Sequence, residues 1–105
     1  MEKFIVILSS ASSEEEAERI GKALVEKKLC ACVNIIKDVR SIFRWKGKLS
    51  VEKEVLLIIK TKGRQLKSVE AEIKKLHSYE VPELIALPVI SGSKDYLFWL
   101  DSETW

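Results

Sequence analysis

A long predicted β-hairpin between Cys32 and Lys62 is the sequence feature that most limits how this chain can fold. Two strand-like runs of about 14 residues flank a turn at Lys46–Gly47–Lys48, and at about 3.3 Å per residue each arm would reach about 45 Å. A compact domain of about 100 residues has a radius of gyration near 13 Å. Because the rest of the chain is too short to cover such a hairpin, it must bend, protrude or pair with another copy. The hairpin therefore predicts self-association, with functional sites between subunits.

Composition supports one domain, residues 1–105, with a substantial core and an ionic surface. Hydrophobic residues make up 47% and charged residues 32% of the chain, and 18 basic and 16 acidic residues are interleaved. The lack of a sustained basic block argues against binding to nucleic acid or a membrane surface, and no apolar run approaches the roughly 18 residues of a membrane span. Cys30 and Cys32 are too close in sequence to link distant parts of a fold, which favours a reducing, cytoplasmic compartment.

The first half of the chain predicts a strand, a helix and the first arm of the hairpin. The apolar run Phe4–Leu8 is typical of a buried strand, and the polar stretch Ser9–Ser13 is expected to end it. Ser13 and Glu16 match a capping box at the start of an amphipathic helix, and Gly21 on its packed face predicts close approach to the sheet. Lys37 and Ser41 interrupt the alternation of the first hairpin arm, which predicts a bulge or a change of environment midway along it.

The second half predicts a helix, a strand and a short final helix. The second helix should end near His77, and Leu84–Ile90 should form a strand that Pro88 places at an edge or a bulge. The resulting order, β-α-β-β-α-β followed by a helix, is that of an α+β ferredoxin-like fold. Right-handed crossovers put both main helices on one face of a four-stranded antiparallel sheet. The apolar residues of the other face then lack a cover, which is a second indication of self-association.

The sequence predicts a protein that is not an enzyme, because the common catalytic templates are absent. It has one histidine, and it lacks a glycine-rich phosphate loop, a Gly-x-Ser-x-Gly elbow and a His-Glu-x-x-His motif. A dyad of Cys32 and His77 is conceivable, but strand cysteines usually act as small, inert apolar residues.

Cysteine and histidine offer a candidate metal site. Cys30 and Cys32 would point to the same face if both lay in a strand, where two thiolates could hold Cu(I) or Zn(II); alternatively, Cys30 ends a loop and Cys32 belongs to the core. His77 is either a cap at the end of its helix or a metal ligand beside Glu80 or Glu83.

A second candidate site lies along the hairpin. Glu52, Glu54 and Lys60 share one parity of the second arm. They are either solvated, edge-protecting charges or the lining of a polar cleft between subunits, with Trp45 and Tyr79 as walls. Trp45 could equally anchor the hairpin tip to a neighbouring copy.

Several short motifs together resemble one family, the CutA divalent-cation-tolerance proteins. They cover nearly the whole chain and are Ala31-Cys32-Val33-Asn34, Phe43-Arg44-Trp45-Lys46-Gly47-Lys48-Leu49, Glu54-Val55, Ile59-Lys60-Thr61, His77-Ser78-Tyr79-Glu80-Val81-Pro82-Glu83 and Asp95-Tyr96-Leu97-x-Trp99-Leu100. The resemblance implies a ferredoxin-like homotrimer built by edge pairing of the long hairpins, similar in architecture to the PII signalling proteins. It implies no reaction.

The resemblance also implies site residues and a role. The metal ligands of the family correspond to Cys32 and His77, and its intersubunit cleft to Trp45, Glu54, Lys60 and Tyr79. Some members carry a cysteine where this chain has Ser9, and a hydroxyl is a poor ligand for Cu(I), which argues against a multi-thiolate copper site.

Two functions follow as expectations. The first is a cytoplasmic homotrimer that acts in tolerance of copper and other divalent cations. It binds copper or another divalent cation, but it does not need the cation in order to fold. The alternative is a PII-like signalling or scaffold trimer that binds a small ligand or a protein partner in the intersubunit cleft.

Overall fold

Four strands form one antiparallel sheet in the order β2–β3–β1–β4. The computed structural model describes residues 3–105, in which the strands are β1 (Phe4–Ala11), β2 (Cys32–Trp45), β3 (Lys48–Lys62) and β4 (Ile85–Pro88). The helices are α1 (Glu14–Glu26), α2 (Leu66–Leu76), which follows a 3-10 turn at Gly63–Gln65, and α3 (Lys94–Ser102). This order confirms the predicted α+β ferredoxin-like arrangement with a C-terminal helix.

The core lies between one face of the sheet and the two longer helices. Alternate side chains of β1 and β3 meet the apolar stripes of α1 and α2. The largest fully buried members are Ile7, Leu57, Ile59, Ile20, Leu24, Val69 and Ile73. A Cβ atom added at Gly21 would lie 3.3 Å from Cγ1 of Val33 on β2. The predicted close approach of α1 to the sheet is therefore confirmed, and a side chain at this position would press on Val33.

The start of α1 follows its predicted cap in part. The Ser13 hydroxyl accepts the Glu16 N–H at 3.1 Å, as expected. The Glu16 carboxylate, however, accepts from the N–H and hydroxyl of Ser12 and not from the Ser13 N–H. In addition, β1 continues through Ala11, beyond the predicted end at Leu8, because its last residues still pair with β3.

The hairpin has the predicted turn and bulge. Lys46 and Gly47 connect β2 and β3 with φ angles of 50° and 80°, the left-handed geometry of a two-residue type I′ turn. The pairing register shifts between Ile36 and Val39, where Asp38 also has a positive φ. At about 3.3 Å per residue, strands of this length account for the longest dimension of the molecule, which is 44 Å against 25 and 23 Å for the other two axes.

The sheet face opposite α1 and α2, here called the open face, is apolar and largely uncovered. The cross-strand register arranges its residues in rows that run across the sheet from β2 to β4. The first row is Cys32, Lys60, Val6 and Leu87, and the second row is Asn34, Ile58, Leu8 and Ile85. The third row, which ends at β1, is Ile36, Leu56 and Ser10. Ile36, Ile85 and Leu87 are exposed, and α3 contacts the end of this face at Lys60 and Lys62. The predicted bare face is therefore present.

β4 is an edge strand, as Pro88 predicted, because it pairs only with β1. It is shorter than the predicted span Leu84–Ile90, since its pairing with β1 is limited to four residues. Among residues 3–105, no helix is both long enough and apolar enough to cross a membrane.

Candidate functional site

His77 is a buried structural histidine within the subunit. Its backbone N–H ends α2 by donating to Ile73 O at 2.9 Å, and its side chain is 0% exposed. Nε2 lies 2.6 Å from Ser10 O, and Nδ1 accepts the Tyr79 N–H at 3.0 Å. Because a carbonyl oxygen can only accept, the proton is on Nε2 and the ring is the neutral tautomer. His77 therefore caps α2 through its backbone N–H and not through its side chain. Both ring nitrogens form hydrogen bonds within the same chain.

The Glu16 carboxylate links α1 to the segment that follows His77. It accepts the Ser78 N–H at 2.7 Å in addition to its two bonds from Ser12, and Oε2 lies 4.0 Å from His77 Nδ1. Burial alone would raise the pKa of Glu16, but hydrogen bonds from Ser78 and Ser12 lower it to about 2. Glu16 is therefore ionised over the whole ordinary pH range.

Tyr79 joins this network to the hairpin. Its hydroxyl donates to Glu54 Oε2 at 2.7 Å, and its ring centroid lies 4.7 Å from that of His77. Burial raises the pKa of Tyr79, and the hydrogen bond to Glu54 and the charge of that carboxylate raise it further. The phenol consequently remains a neutral donor, and Glu54, only 6% exposed, is held in the middle of β3.

The two cysteines occupy different environments. β2 begins only at Cys32, so the condition for a shared strand face, that both cysteines lie in a strand, is not met. The alternative is confirmed for Cys30, which lies in the loop before β2, but is wrong for Cys32, which is not part of the core. Cys30 is fully buried in the helix-covered core, and burial, followed by the proximity of Cys32, raises its pKa to about 12. Cys32 is half-buried in the first row of the open face, with Sγ 3.8 Å from Asn34 Oδ1. Cys32 is therefore the accessible thiol of the pair.

The structure separates the two predicted metal ligands within one subunit. Cys32 shares a row with Val6 of β1, whereas His77 binds the carbonyl of Ser10 further along that strand. Strand geometry puts these points about 13 Å apart along β1 and about 10 Å apart across the sheet. Within residues 3–105, no group of three or more His, Cys, Asp or Glu side chains could hold a metal ion. A site containing both residues would need a second copy or a rearrangement.

The four cleft candidates are also distributed along the hairpin. Only Glu54 and Tyr79 are in contact. Lys60 lies about 20 Å from Glu54 in one direction along β3, with Nζ 5.8 Å from the centre of the Tyr96 ring. Trp45 pairs with Lys48 at the hairpin tip, about 20 Å away in the other direction. A cleft with all four residues can form only between copies.

Comparison with known proteins identifies the family. The family described as "CutA1 divalent ion tolerance protein" matches residues 5–103. A divalent-cation tolerance protein CutA from Archaeoglobus fulgidus is 46% identical over 101 residues, which is 96% of each chain. Among solved structures, the Thermus thermophilus divalent cation tolerance protein Cut A1 superposes with a TM-score of 0.95 at 43% identity, covering 97% of this chain and 99% of that one. A structure of the Archaeoglobus protein, described as periplasmic, gives 0.93 at 43% identity over 95% and 97%. The chain therefore belongs to the CutA1 divalent ion tolerance protein family.

Proposed function

We propose that the protein acts in tolerance of divalent cations, as a homotrimer that binds copper or another divalent cation at sites completed between its copies, without catalysing a reaction. Family membership supports the tolerance role. The observation that carries the binding site is the position of Cys32, an accessible thiol on the same apolar face that self-association would cover.

Self-association is supported by apolar surface on two parts of the molecule. The open face exposes Ile85 and Leu87 on β4, and beyond the bulge Ile42 and Val51 pair across the hairpin with 66% and 56% of their surfaces exposed. Contiguous apolar surface of this kind is typical of protein interfaces. Within residues 3–105, the outer edges of β2 and β4 pair with no other strand. Each edge could therefore pair with a strand of another copy.

The donor chemistry favours Cys32 as the principal ligand. A thiolate suits Cu(I) and Zn(II), and Cys32 lies at the start of β2 on the open face. His77 can join a metal site only by giving up its hydrogen bond with Ser10 or Tyr79. Further ligands, including carboxylates, would come from a neighbouring copy.

The test is a titration with Cu(I), Cu(II) and Zn(II) against competing chelators under reducing conditions. The protein, Cys32→Ala, His77→Gln and the control Cys30→Ala would be compared. Submicromolar, stoichiometric binding that is lost in Cys32→Ala and kept in Cys30→Ala is expected. Weak, non-stoichiometric binding that no variant changes would overturn the metal site. A variant that remains monomeric in light scattering but binds with full affinity would overturn a site shared between copies.

A second candidate function rests on the contact between Glu54 and Tyr79. Their hydrogen bond places a buried carboxylate beside an aromatic ring at the middle of the hairpin, which suits a small polar ligand in a cleft to which other copies contribute Trp45 and Lys60. Thermal-shift screening with nucleotides and common metabolites, repeated on Trp45→Ala and Lys60→Met, tests this PII-like role. Stabilisation by none of these compounds would count against it.

The proposed compartment is the cytoplasm, since both cysteines are free thiols and such thiols persist in reducing compartments. Fractionation of cells that express the protein, with marker proteins for each compartment, tests this assignment. Recovery with the periplasmic marker would overturn it.

A further inference from the structure

Glu54 is a buried carboxylate that lacks a cationic partner in its own chain. It lies in the middle of β3, is only 6% exposed and accepts a hydrogen bond from the Tyr79 hydroxyl at 2.7 Å. Within residues 3–105, no lysine, arginine or histidine forms an ion pair with it. One phenol replaces only part of the water that an ionised carboxylate loses on burial. The charge of Glu54 is therefore incompletely compensated within one chain.

Further carboxylates make the surroundings of this pair negative. Glu52 follows Glu54 on the same face of β3, about 7 Å away, and Glu16 accepts a hydrogen bond from the backbone of the residue before Tyr79. Burial, the hydrogen bond to Glu54 and the charges of Glu54, Glu16 and Glu52 all raise the pKa of Tyr79. The site therefore repels anions and attracts cations.

The basic residues of the hairpin do not supply the missing charge from within the chain. Arg40 and Lys53 pair across the hairpin beside Glu54, but side chains alternate along a strand, so both lie on the opposite face. Lys53 is also bound to Asp38, with 3.0 Å from Nζ to Oδ1. Lys60 shares the face of Glu54, but it lies about 20 Å further along β3. A cation for Glu54 therefore has to come from another molecule.

Self-association makes this requirement stronger. Glu54 has the parity of Leu56 and Lys60 on β3, so it lies on the side of the open face. A second copy on this side would remove Glu54 further from water, and an unpaired carboxylate becomes more costly as it is buried more deeply. The burial of Glu54 within one chain is a lower limit for the assembled protein. Assembly can therefore relieve this charge only by bringing a cation to it.

We infer that Glu54 and Tyr79 form a binding site for a cationic nitrogen group, an ammonium or a guanidinium, which is brought either by a small organic amine or by Lys60 of a second copy. An ammonium can donate to the Glu54 carboxylate, and the Tyr79 ring can attract it through its face. The Tyr79 N–H donates to His77 Nδ1 at 3.0 Å, which holds the ring in place before a ligand arrives. A metal ion fits less well, because no suitable group of three or more ligands occurs within residues 3–105. The inference rests on the second candidate function, the intersubunit cleft, and names the class of ligand that this cleft takes.

The experiment follows the fluorine NMR resonance of Tyr79 in the assembled protein labelled with fluorotyrosine. The chain has 2 tyrosines, and Tyr96→Phe assigns the other resonance. Cadaverine is titrated at constant ionic strength, and the uncharged diol of the same chain length is the matched compound. A free amine as ligand should give a saturable shift of the Tyr79 resonance that the diol does not give.

Glu54→Gln removes the charge but keeps an acceptor for the Tyr79 hydroxyl. It should weaken cadaverine binding at least about tenfold, as expected for loss of a charged hydrogen bond. Glu26→Gln, which removes an exposed carboxylate of α1, is the control and should change the affinity by less than about twofold. The comparison of cadaverine with the diol needs no substitution, so it tests the site even if Glu54→Gln does not fold.

Lys60→Met distinguishes the two sources of the cationic group. If Lys60 of a second copy fills the site, cadaverine leaves the unmodified protein unchanged, Lys60→Met shifts the Tyr79 resonance, and cadaverine then restores it. No response to cadaverine in either protein would overturn the inference, as would an equal response in Glu54→Gln or to the diol. A Tyr79 shift with nucleotides and none with cadaverine would also overturn it, while the cleft of the second candidate function would stand.

Discussion

The Tyr79 hydroxyl donates a 2.7 Å hydrogen bond to the Glu54 carboxylate, which joins the connector after α2 to the middle of the long hairpin. Tyr79→Phe removes the donor and leaves a buried charge with fewer partners. We expect the free energy of unfolding to fall by about 1.5–3 kcal/mol, measured by urea denaturation with light scattering to follow assembly. Tyr96→Phe, on an exposed ring, is the control. Equal stability of the two variants would show that the Glu54 contact contributes nothing.

Glu16 should make stability depend on acid pH. Its pKa in the folded protein is about 2, against 4.5 for an ordinary glutamate, so folding is favoured by the ionised form. This stabilisation is fully present above about pH 4.5 and is lost as pH falls toward 2, with a total of about 2–3 kcal/mol. Unfolding free energies measured from pH 6 to 2 should fall less steeply in Glu16→Gln than in the unmodified protein. Identical slopes would contradict the prediction.

The turn of the hairpin gives a pair of opposite predictions. Gly47 has a φ of 80°, and Gly47→Ala should destabilise the protein by about 1 kcal/mol because a side chain disfavours this geometry. Lys46 has a φ of 50° although it is not glycine, and Lys46→Asn should be neutral or slightly stabilising since asparagine tolerates this region. Thermal unfolding of the two variants side by side measures both effects, and a loss of stability in Lys46→Asn would contradict the assigned turn.

Assembly should be sensitive to charge on the exposed apolar pair of the hairpin. Ile42→Glu places a carboxylate next to Val51 on surface that we assign to the interface. Light scattering should show loss of the oligomer, with the secondary structure unchanged by circular dichroism. Ser68→Glu on the exposed side of α2 adds the same single negative charge and should leave the oligomer intact. Normal assembly of Ile42→Glu would show that this part of the hairpin is not in the interface.

The fold could be predicted because its signals are local. Alternation and turn residues define the hairpin, and the break in alternation at Lys37 lies beside the observed register shift. Gly21 indicated a close approach that the Val33 contact explains. The end of β1 was predicted too early because Ser9 and Ser10 are polar residues, which usually mark a loop. Both residues nevertheless continue the pairing with β3, and a partner strand so distant in sequence leaves no local signal.

The site was less predictable because its contacts join distant parts of the chain. The spacing of Ser13 and Glu16 indicated a cap, but the bond from Ser78 to Glu16 and the burial of His77 depend on how α2 ends against β1. The pattern Cys-x-Cys left open whether the two thiols share a strand face, and only the start of β2 at Cys32 shows that they do not. Residue type therefore identified the reactive groups, while their partners required the tertiary structure.

The register of the hairpin restricts how its length can change. The turn at Lys46–Gly47 fixes the pairing at one end, and the irregularity between Ile36 and Val39 fixes it at the other. Because side chains alternate between the two faces, inserting one residue in each strand would exchange the faces of everything beyond the insertion. Inserting two in each strand would preserve the faces and lengthen the arm by about 7 Å. Functional variants of this arm should therefore differ in length by even numbers of residues per strand.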